Sequence, residues 1–169
     1  MAFFRHEDMQ NTDWMLLQNG PIVLYYRNEI LAKDLSWLHK KEYVIDQLNC
    51  ADWQVEKNLH QALADQLGFP DYYGHNLHAL NDCLSDLSIP DQSGRVVVFN
   101  QYDQFVARLP EFAWQVLDIF AIQARTHLLF GLRLIVLLQS NNPYLEFNPV
   151  GACPVMWNRQ EWLNKDRGL

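Results

Sequence analysis

Two continuous apolar segments constrain the fold of this chain more than any other feature. Residues 95–99 and 132–138 are rich in Val, Leu and Ile and show no alternation of polar and apolar side chains. Such runs are typical of strands whose two faces are both buried. A helical pattern separates them, and Pro110 suits the first turn of a long helix that reaches about residue 128. The sequence therefore predicts an α/β domain with a parallel sheet.

Shorter signals predict the remaining elements. Strands are expected at residues 22–26 and 43–45 and near 155–157, and a short helix is expected at 33–40. Apolar residues recur with helical spacing from about residue 52 or 56 to Leu67, and Gly68 with Pro70 ends that helix. Asn76 is a suitable N-cap for a further helix that runs to about residue 87.

The charge of the chain is concentrated in one stretch. The 169 residues include 13 Lys and Arg against 20 Asp and Glu, which gives a net charge of −7. Residues 46–91 contain a single basic residue, Lys57, and eight acids: Asp46, Asp52, Glu56, Asp65, Asp71, Asp82, Asp86 and Asp91. This balance argues against a general nucleic-acid binder, which needs a basic face. The acids form either a solvated surface that aids solubility or a docking face for a basic partner.

The helix after Asn76 carries the strongest local chemistry. Leu77, Leu80 and Leu84 form its apolar stripe, and Cys83 falls beside that stripe as a small core residue. The opposing polar stripe consists of His75, His78, Asp82 and Ser85. The preceding loop offers Tyr72 and Tyr73, one of which we expect in the core, with Gly74 as a hinge. Aromatic side chains beside acid and amide groups are typical of protein-binding hot spots.

Residues 59–84 resemble the barstar family. The segment Leu-His-Gln-Ala-Leu-Ala-Asp-Gln-Leu-Gly-Phe-Pro, followed by Asp-Tyr-Tyr-Gly-His-Asn-Leu-His-Ala-Leu-Asn-Asp-Cys-Leu, contains the long pattern P-x-Y-Y-G-x-N-L-x-A-L-x-D-C-L. The resemblance covers about residues 40–140. It implies a three-stranded parallel sheet packed by helices over residues 41–140. Residues 1–40 would then be an N-terminal extension packed on this core, and residues 141–169 a C-terminal extension, both adding extra elements.

The resemblance also implies a function and a site. Members of the family are small cytoplasmic inhibitors of secreted bacterial ribonucleases, and their carboxylates take the place of RNA phosphates in the enzyme's active site. Asp82 matches the central carboxylate. The expected partner-binding residues are Tyr72, Tyr73, Gly74, Asn76, His78, Asn81, Asp82 and Ser85. The partner would be a basic ribonuclease, such as a toxin against which its producer needs immunity, with no direct contact to nucleic acid or membrane. No catalytic residue, metal or cofactor is expected.

Some positions depart from the family pattern. His78 stands where the family often has a second aspartate, and Ser85 replaces a threonine. Asn81 and Leu87 stand where the best-known member has tryptophans, and Ile122 falls about where an acidic contact is expected. The chain therefore keeps the central acid and the tyrosines but lacks several flanking anchors. An interaction module of the same fold, with a partner that is not a ribonuclease, is the first alternative.

Three further alternatives belong to other classes. A metal-dependent enzyme could use His75, His78 and Asp82 on one helix face with His60 approaching, because two imidazoles and a carboxylate can bind zinc or another divalent ion. A hydrolase could use Cys83 as nucleophile, but that needs an accessible thiolate beside a base. The aromatic side chains of the two extensions would favour self-association if they were exposed.

The compartment is expected to be the cytoplasm. Glu7 and Asp8 stand where a secretory signal needs an apolar region. The longest apolar stretch, residues 128–138, is too short to span a bilayer. Cys50, Cys83 and Cys153 are widely spaced and form no C-x-x-C pair, so reduced thiols are expected.

Overall fold

A five-stranded parallel sheet is the central element of the computed structural model, which describes residues 5–169. Its strands are β1 (Ile22–Tyr25), β2 (Val44–Asn49), β3 (Arg95–Asn100), β4 (Leu134–Gln139) and β5 (Met156–Trp157). They lie in the order β2-β3-β4-β1-β5, and every neighbouring pair is parallel. The predicted α/β class is confirmed. The predicted count of three strands is wrong, because β1 and β5 extend the sheet beyond β4.

Helices cover the sheet. They are α1 (Thr12–Leu17), α2 (Asn28–Lys40), α3 (Glu56–Leu67), α4 (Leu77–Ser85), α5 (Tyr102–Arg108) and α6 (Pro110–Leu129). Short 3-10 helices lie at His6–Gln10, Arg159–Glu161 and Asn164–Arg167.

Gly68 ends α3 in the left-handed conformation with φ 71°, and the side chain of Asn76 accepts from the N–H of Ala79 at the start of α4. Both predicted helix boundaries are therefore confirmed.

Both faces of the sheet are buried, as its continuous apolar strands require. Leu24, Val97 and Phe99 lie on the face that packs against α3, α4, α5 and α6. Alternate residues of the same strands, such as Val23 and Val98, lie on the other face and pack against α1 and α2. Residues 5–40 therefore contribute one strand and the helical layer of the second face.

The ends of the chain are joined to the sheet by buried polar contacts. Asp13 accepts the hydroxyl hydrogen of Tyr43 at 2.7 Å and lies 3.3 Å from the guanidinium of Arg133. Near the other end, β5 pairs with β1 through Val23 and Leu24. The division into residues 1–40, 41–140 and 141–169 stays a prediction.

Within residues 5–169, no helix has the length and apolar character needed to cross a bilayer.

Candidate protein-binding site

Helix α4 presents the residues expected to bind a partner. Its apolar stripe turns inward, where Leu80 and Leu84 are fully buried. Because side chains one or two positions away from Leu80 or Leu84 lie on other faces of the helix, His78, Asp82 and Ser85 are exposed. The structure thus leaves the expected central carboxylate, Asp82, open to solvent.

Helix α4 is held against α6 by two polar contacts. The amide of Gln123 donates to the side-chain oxygen of Asn81 at 2.7 Å. Nε2 of His127 donates to the carbonyl oxygen of Leu84, also at 2.7 Å. Asn81 is half-buried, and its hydrogen bond with Gln123 of α6 leaves its side chain less available to a partner than the exposed side chains of α4 are.

The two tyrosines of the loop before α4 have opposite environments. Tyr72 is 87% exposed, whereas Tyr73 is 5% exposed and packs 4.9 Å from the ring of Phe69. The hydroxyl of Tyr73 lies 2.5 Å from Nδ1 of the buried His60 on α3. The expectation that one tyrosine belongs to the core identifies Tyr73. Its place among the residues that touch a partner stays a prediction, and its buried side chain supports the loop from below.

The turn into α4 is locally constrained. His75 adopts a positive φ of 49°, a conformation that residues other than glycine rarely adopt. Gly74 does not have a positive φ; a Cβ there would lie 3.0 Å from the side-chain nitrogen of Asn76. That nitrogen donates to the carbonyl oxygen of Gly74, while the amide oxygen of Asn76 caps α4. Gly74 is thus a close-approach residue, and both side-chain groups of Asn76 are used in local hydrogen bonds.

A concave surface lies between the loop and the end of α4. Its cavity of about 250 Å³ is lined by Tyr72, Asp82, Asp86 and other residues of the loop and the end of α4. Asp86 was not included in the expected site. The signal was present in the sequence, because Asp86 follows Asp82 by four positions and therefore lies on the same side of the helix. The aromatic ring and two carboxylates suit a cationic side chain of a partner.

Most of the acidic stretch is on the surface. Of the eight acids at positions 46–91, seven are exposed. The exception is Asp46, whose carboxylate lies 2.6 Å from Nε of Arg95 with both side chains largely buried. Arg95 also lines the cavity beside Asp82, but this ion pair offsets its charge. The exposed surface is therefore strongly acidic, with Lys57 as the one basic residue that the same stretch exposes.

The geometry gives little support to the enzymatic alternatives. Burial, followed by the negative charges of Asp82 and Asp86, raises the pKa of Cys83, which disfavours the nucleophilic thiolate. His60 is buried and engaged with Tyr73, so it does not complete a metal site with His75 and Asp82. Within residues 5–169, no group of three or more His, Cys, Asp or Glu side chains could hold a metal ion.

Comparisons with known proteins find a short sequence match and a similar fold. A 34-residue stretch is 56% identical to the protein named "Putative ribonuclease inhibitor YrdF" from Bacillus subtilis (strain 168); it covers 20% of this chain and 37% of that protein. The chain therefore matches about a third of the length of this relative. A chain in the solved structure titled "Structure of Drosophila ORC bound to AT-rich DNA and Cdc6" superposes with a TM-score of 0.51 at 14% identity. That match covers 80% of this chain and 45% of the other, and concerns the fold alone.

The family assignment rests on a longer match. The model of the family described as "Barstar (barnase inhibitor)" matches residues 43–139, which is more than half of the chain. These residues include β2, β3 and β4 together with α3 to α6, and they contain the whole of the surface described above. The chain belongs to the barstar family.

Proposed function

We propose that this protein is a stoichiometric inhibitor of a basic ribonuclease. The observation that carries the proposal is the exposure of Asp82 and Tyr72 at the rim of an acidic, concave surface. Membership of the barstar family and the short match to a protein named as a ribonuclease inhibitor support it. Such an inhibitor would act in the cytoplasm of the cell that makes the ribonuclease.

The inhibitor would act by occlusion. A ribonuclease active site gathers cationic side chains to grip the phosphates of RNA, and exposed carboxylates can occupy the same places. Asp82 would lie at the centre and form charge-assisted hydrogen bonds with those cations. Asp86 and Tyr72 would hold a further cationic side chain in the cavity between the loop and α4. The surrounding acids would speed the encounter more than they would add affinity.

The scaffold supports this mechanism because polar contacts beneath the proposed binding surface would order it before a partner arrives. The contacts between Tyr73 and His60 and between Asn81 and Gln123 fix the loop and α4 from below. A surface that is already in its bound shape loses less conformational entropy on binding. The expected contact residues are thus Tyr72, Asp82 and Asp86, with His78 and Ser85 beside them and Gly74 allowing close approach.

The proposal is tested by titrating the activity of barnase, or of another basic secreted bacterial ribonuclease, with the purified protein. We expect activity to fall to zero at one equivalent. The variant Asp82→Ala should weaken binding by roughly 2–5 kcal/mol or more, a magnitude taken from complexes of the barnase–barstar type.

The control is Asp91→Ala, which removes another exposed carboxylate, outside the cavity. Its binding should stay within about threefold of the original protein at moderate salt. Equal losses of affinity in Asp82→Ala and Asp91→Ala would show that the surface acts only through its overall negative charge. The absence of inhibition for every basic ribonuclease tested would remove the proposal.

A further inference from the structure

A second concave site lies beside β5, at the edge of the sheet opposite β2. Its cavity of about 240 Å³ is enclosed by α1, β1, α2 and the segment that follows β5. Both ends of the chain are therefore needed to build it. It shares no residue with the acidic surface around Asp82, so an inference about it does not depend on the proposed inhibition.

A buried carboxylate lines this cavity. Asp34 is 6% exposed, and its Oδ2 accepts hydrogen bonds from the hydroxyl of Tyr25 at 2.7 Å and from the amide of Asn158 at 3.0 Å. Among the described residues, Oδ1 accepts no hydrogen bond, and Asp34 is one of the residues that line the cavity. Oδ1 is therefore left as an acceptor for a ligand in the cavity.

The pKa of Asp34 is shifted in the direction expected for a buried carboxylate that has no cation bound to it. Burial raises the pKa of Asp34, while the hydrogen bonds from Tyr25 and Asn158 and the charge of Lys33 act in the opposite direction. A positively charged hydrogen-bond donor would compensate for the solvation that the carboxylate loses through burial.

The rest of the lining is aromatic and cationic. Trp157 and Trp162 provide apolar surface, and the indole N–H of Trp162 donates to the carbonyl oxygen of Trp157 at 2.7 Å, which orients the exposed ring. Lys33 and Arg159 also line the cavity, and both are exposed to solvent. The site therefore combines a buried anion, an apolar wall and two cations at the rim.

We propose that this cavity binds a small zwitterion of the α-amino-acid class with an apolar side chain. Its ammonium group would donate to Oδ1 of Asp34, and its carboxylate would face Lys33 and Arg159. Its side chain would lie against the ring of Trp162. The volume supports this size class, since pockets for drug-sized ligands usually start at about 300 Å³. A simple cation would meet two like charges at the rim, and a simple anion would meet the carboxylate of Asp34.

Three probes of similar shape test the charge pattern on the full chain. L-phenylalanine carries both charges, phenethylamine lacks the carboxylate, and phenylpropionate lacks the ammonium group. Binding is followed by NMR through the indole N–H signals of Trp157 and Trp162. We expect L-phenylalanine to shift both signals and to bind about tenfold more tightly than either single-charge probe. No shift with L-phenylalanine, or equal affinity for all three probes, would overturn the proposal.

Two variants locate the site. Asp34→Asn keeps the shape of the side chain and should weaken L-phenylalanine binding by about tenfold, because a charged hydrogen bond is lost. Lys33→Gln changes an exposed residue and should weaken it by about three- to fivefold. The matched control is Lys57→Gln on α3, which should bind as the original protein does. If Asp34→Asn does not fold, Lys33→Gln decides: affinity equal to that of Lys57→Gln would refute the site.

Discussion

The hydroxyl of Tyr73 lies 2.5 Å from Nδ1 of His60, beneath the loop that exposes Tyr72. Burial raises the pKa of Tyr73 well above its usual range, so the phenol keeps its proton while its hydroxyl forms a hydrogen bond with the imidazole of His60. The rings of His60 and Phe112 are 5.7 Å apart, which places the pair against the start of α6. Tyr73 therefore anchors the loop, whereas the exposed ring of Tyr72 is available to a partner.

The first prediction concerns this anchor. Tyr73→Phe removes the hydroxyl and leaves Nδ1 of His60 buried without its partner, so the free energy of unfolding should fall by about 1–2 kcal/mol. Urea denaturation measures the change. Tyr72→Phe is the matched control, because the same atom is removed from an exposed ring in the same loop. If the two variants lose equal stability, the contact between Tyr73 and His60 does not anchor the loop.

The second prediction concerns pH. Burial, followed by the charge of His75, lowers the pKa of His60 below its ordinary value of 6.5. Between these two pKa values the unfolded chain binds more protons than the folded protein does, so stability must rise with pH in that range. The contribution of His60 is therefore fully present above pH 6.5 and is lost as pH falls through the lower, folded pKa.

Denaturation curves collected across this range check the direction of the pH effect. His60→Gln should flatten the part of the slope that lies just below pH 6.5, whereas His39→Gln, which changes an exposed histidine on α2, should leave it unchanged. The difference between each variant and the original protein removes contributions from other groups, including Asp34. A slope that survives in His60→Gln would assign the pH dependence to another residue.

The third prediction concerns the buried ion pair between β2 and β3. Asp46 accepts from Nε and Nη2 of Arg95 at 2.6 and 3.2 Å. Asp46→Ala leaves the guanidinium uncompensated in a largely buried position, so stability should fall by about 3–5 kcal/mol. Asp52→Ala, which removes an exposed acid just after β2, should change it by less than about 0.5 kcal/mol. Equal effects in a urea denaturation experiment would show that Arg95 finds solvent when Asp46 is lost.

The sequence predicted the inner part of the fold well because the signals there are local. The apolar runs of β3 and β4, the glycine after α3 and the cap at Asn76 each specify their own element. The number of strands in the sheet was wrong, although strands were predicted at 22–26 and near 155–157, because pairing of β1 with β4 joins segments more than 100 residues apart and no local signal encodes that contact. Helices α1 and α5 were not predicted, since six and seven residues are too few for a clear helical period.

The face of α4 on which the candidate residues lie could be predicted from the sequence, but the orientations of the loop side chains could not. Helical spacing is enough to put Asp82 and Asp86 on the side of α4 away from Leu80. It does not decide which of Tyr72 and Tyr73 turns inward, because adjacent loop residues follow no fixed period. That choice depends on the partner His60, which lies 13 positions away and is supplied by another helix. The charge count treated Asp46 as surface for the same reason: its partner, Arg95, belongs to the neighbouring strand.

The last prediction concerns Glu161, which joins the C-terminal segment to the start of α2. Its carboxylate is fully buried and accepts the backbone N–H groups of Tyr26 and Arg27 at 2.7 and 2.6 Å, where the positive end of the helix dipole also favours an anion. Glu161→Ala leaves both donors unpaired, so stability should fall by about 2–4 kcal/mol, and Glu161→Gln, which keeps one acceptor, should lose about half as much. Hydrogen exchange should accelerate at Tyr26 and Arg27 in Glu161→Ala but not in the exposed control Glu146→Ala. Unchanged protection of these two amides would mean that the segment after β5 does not hold α2 in place.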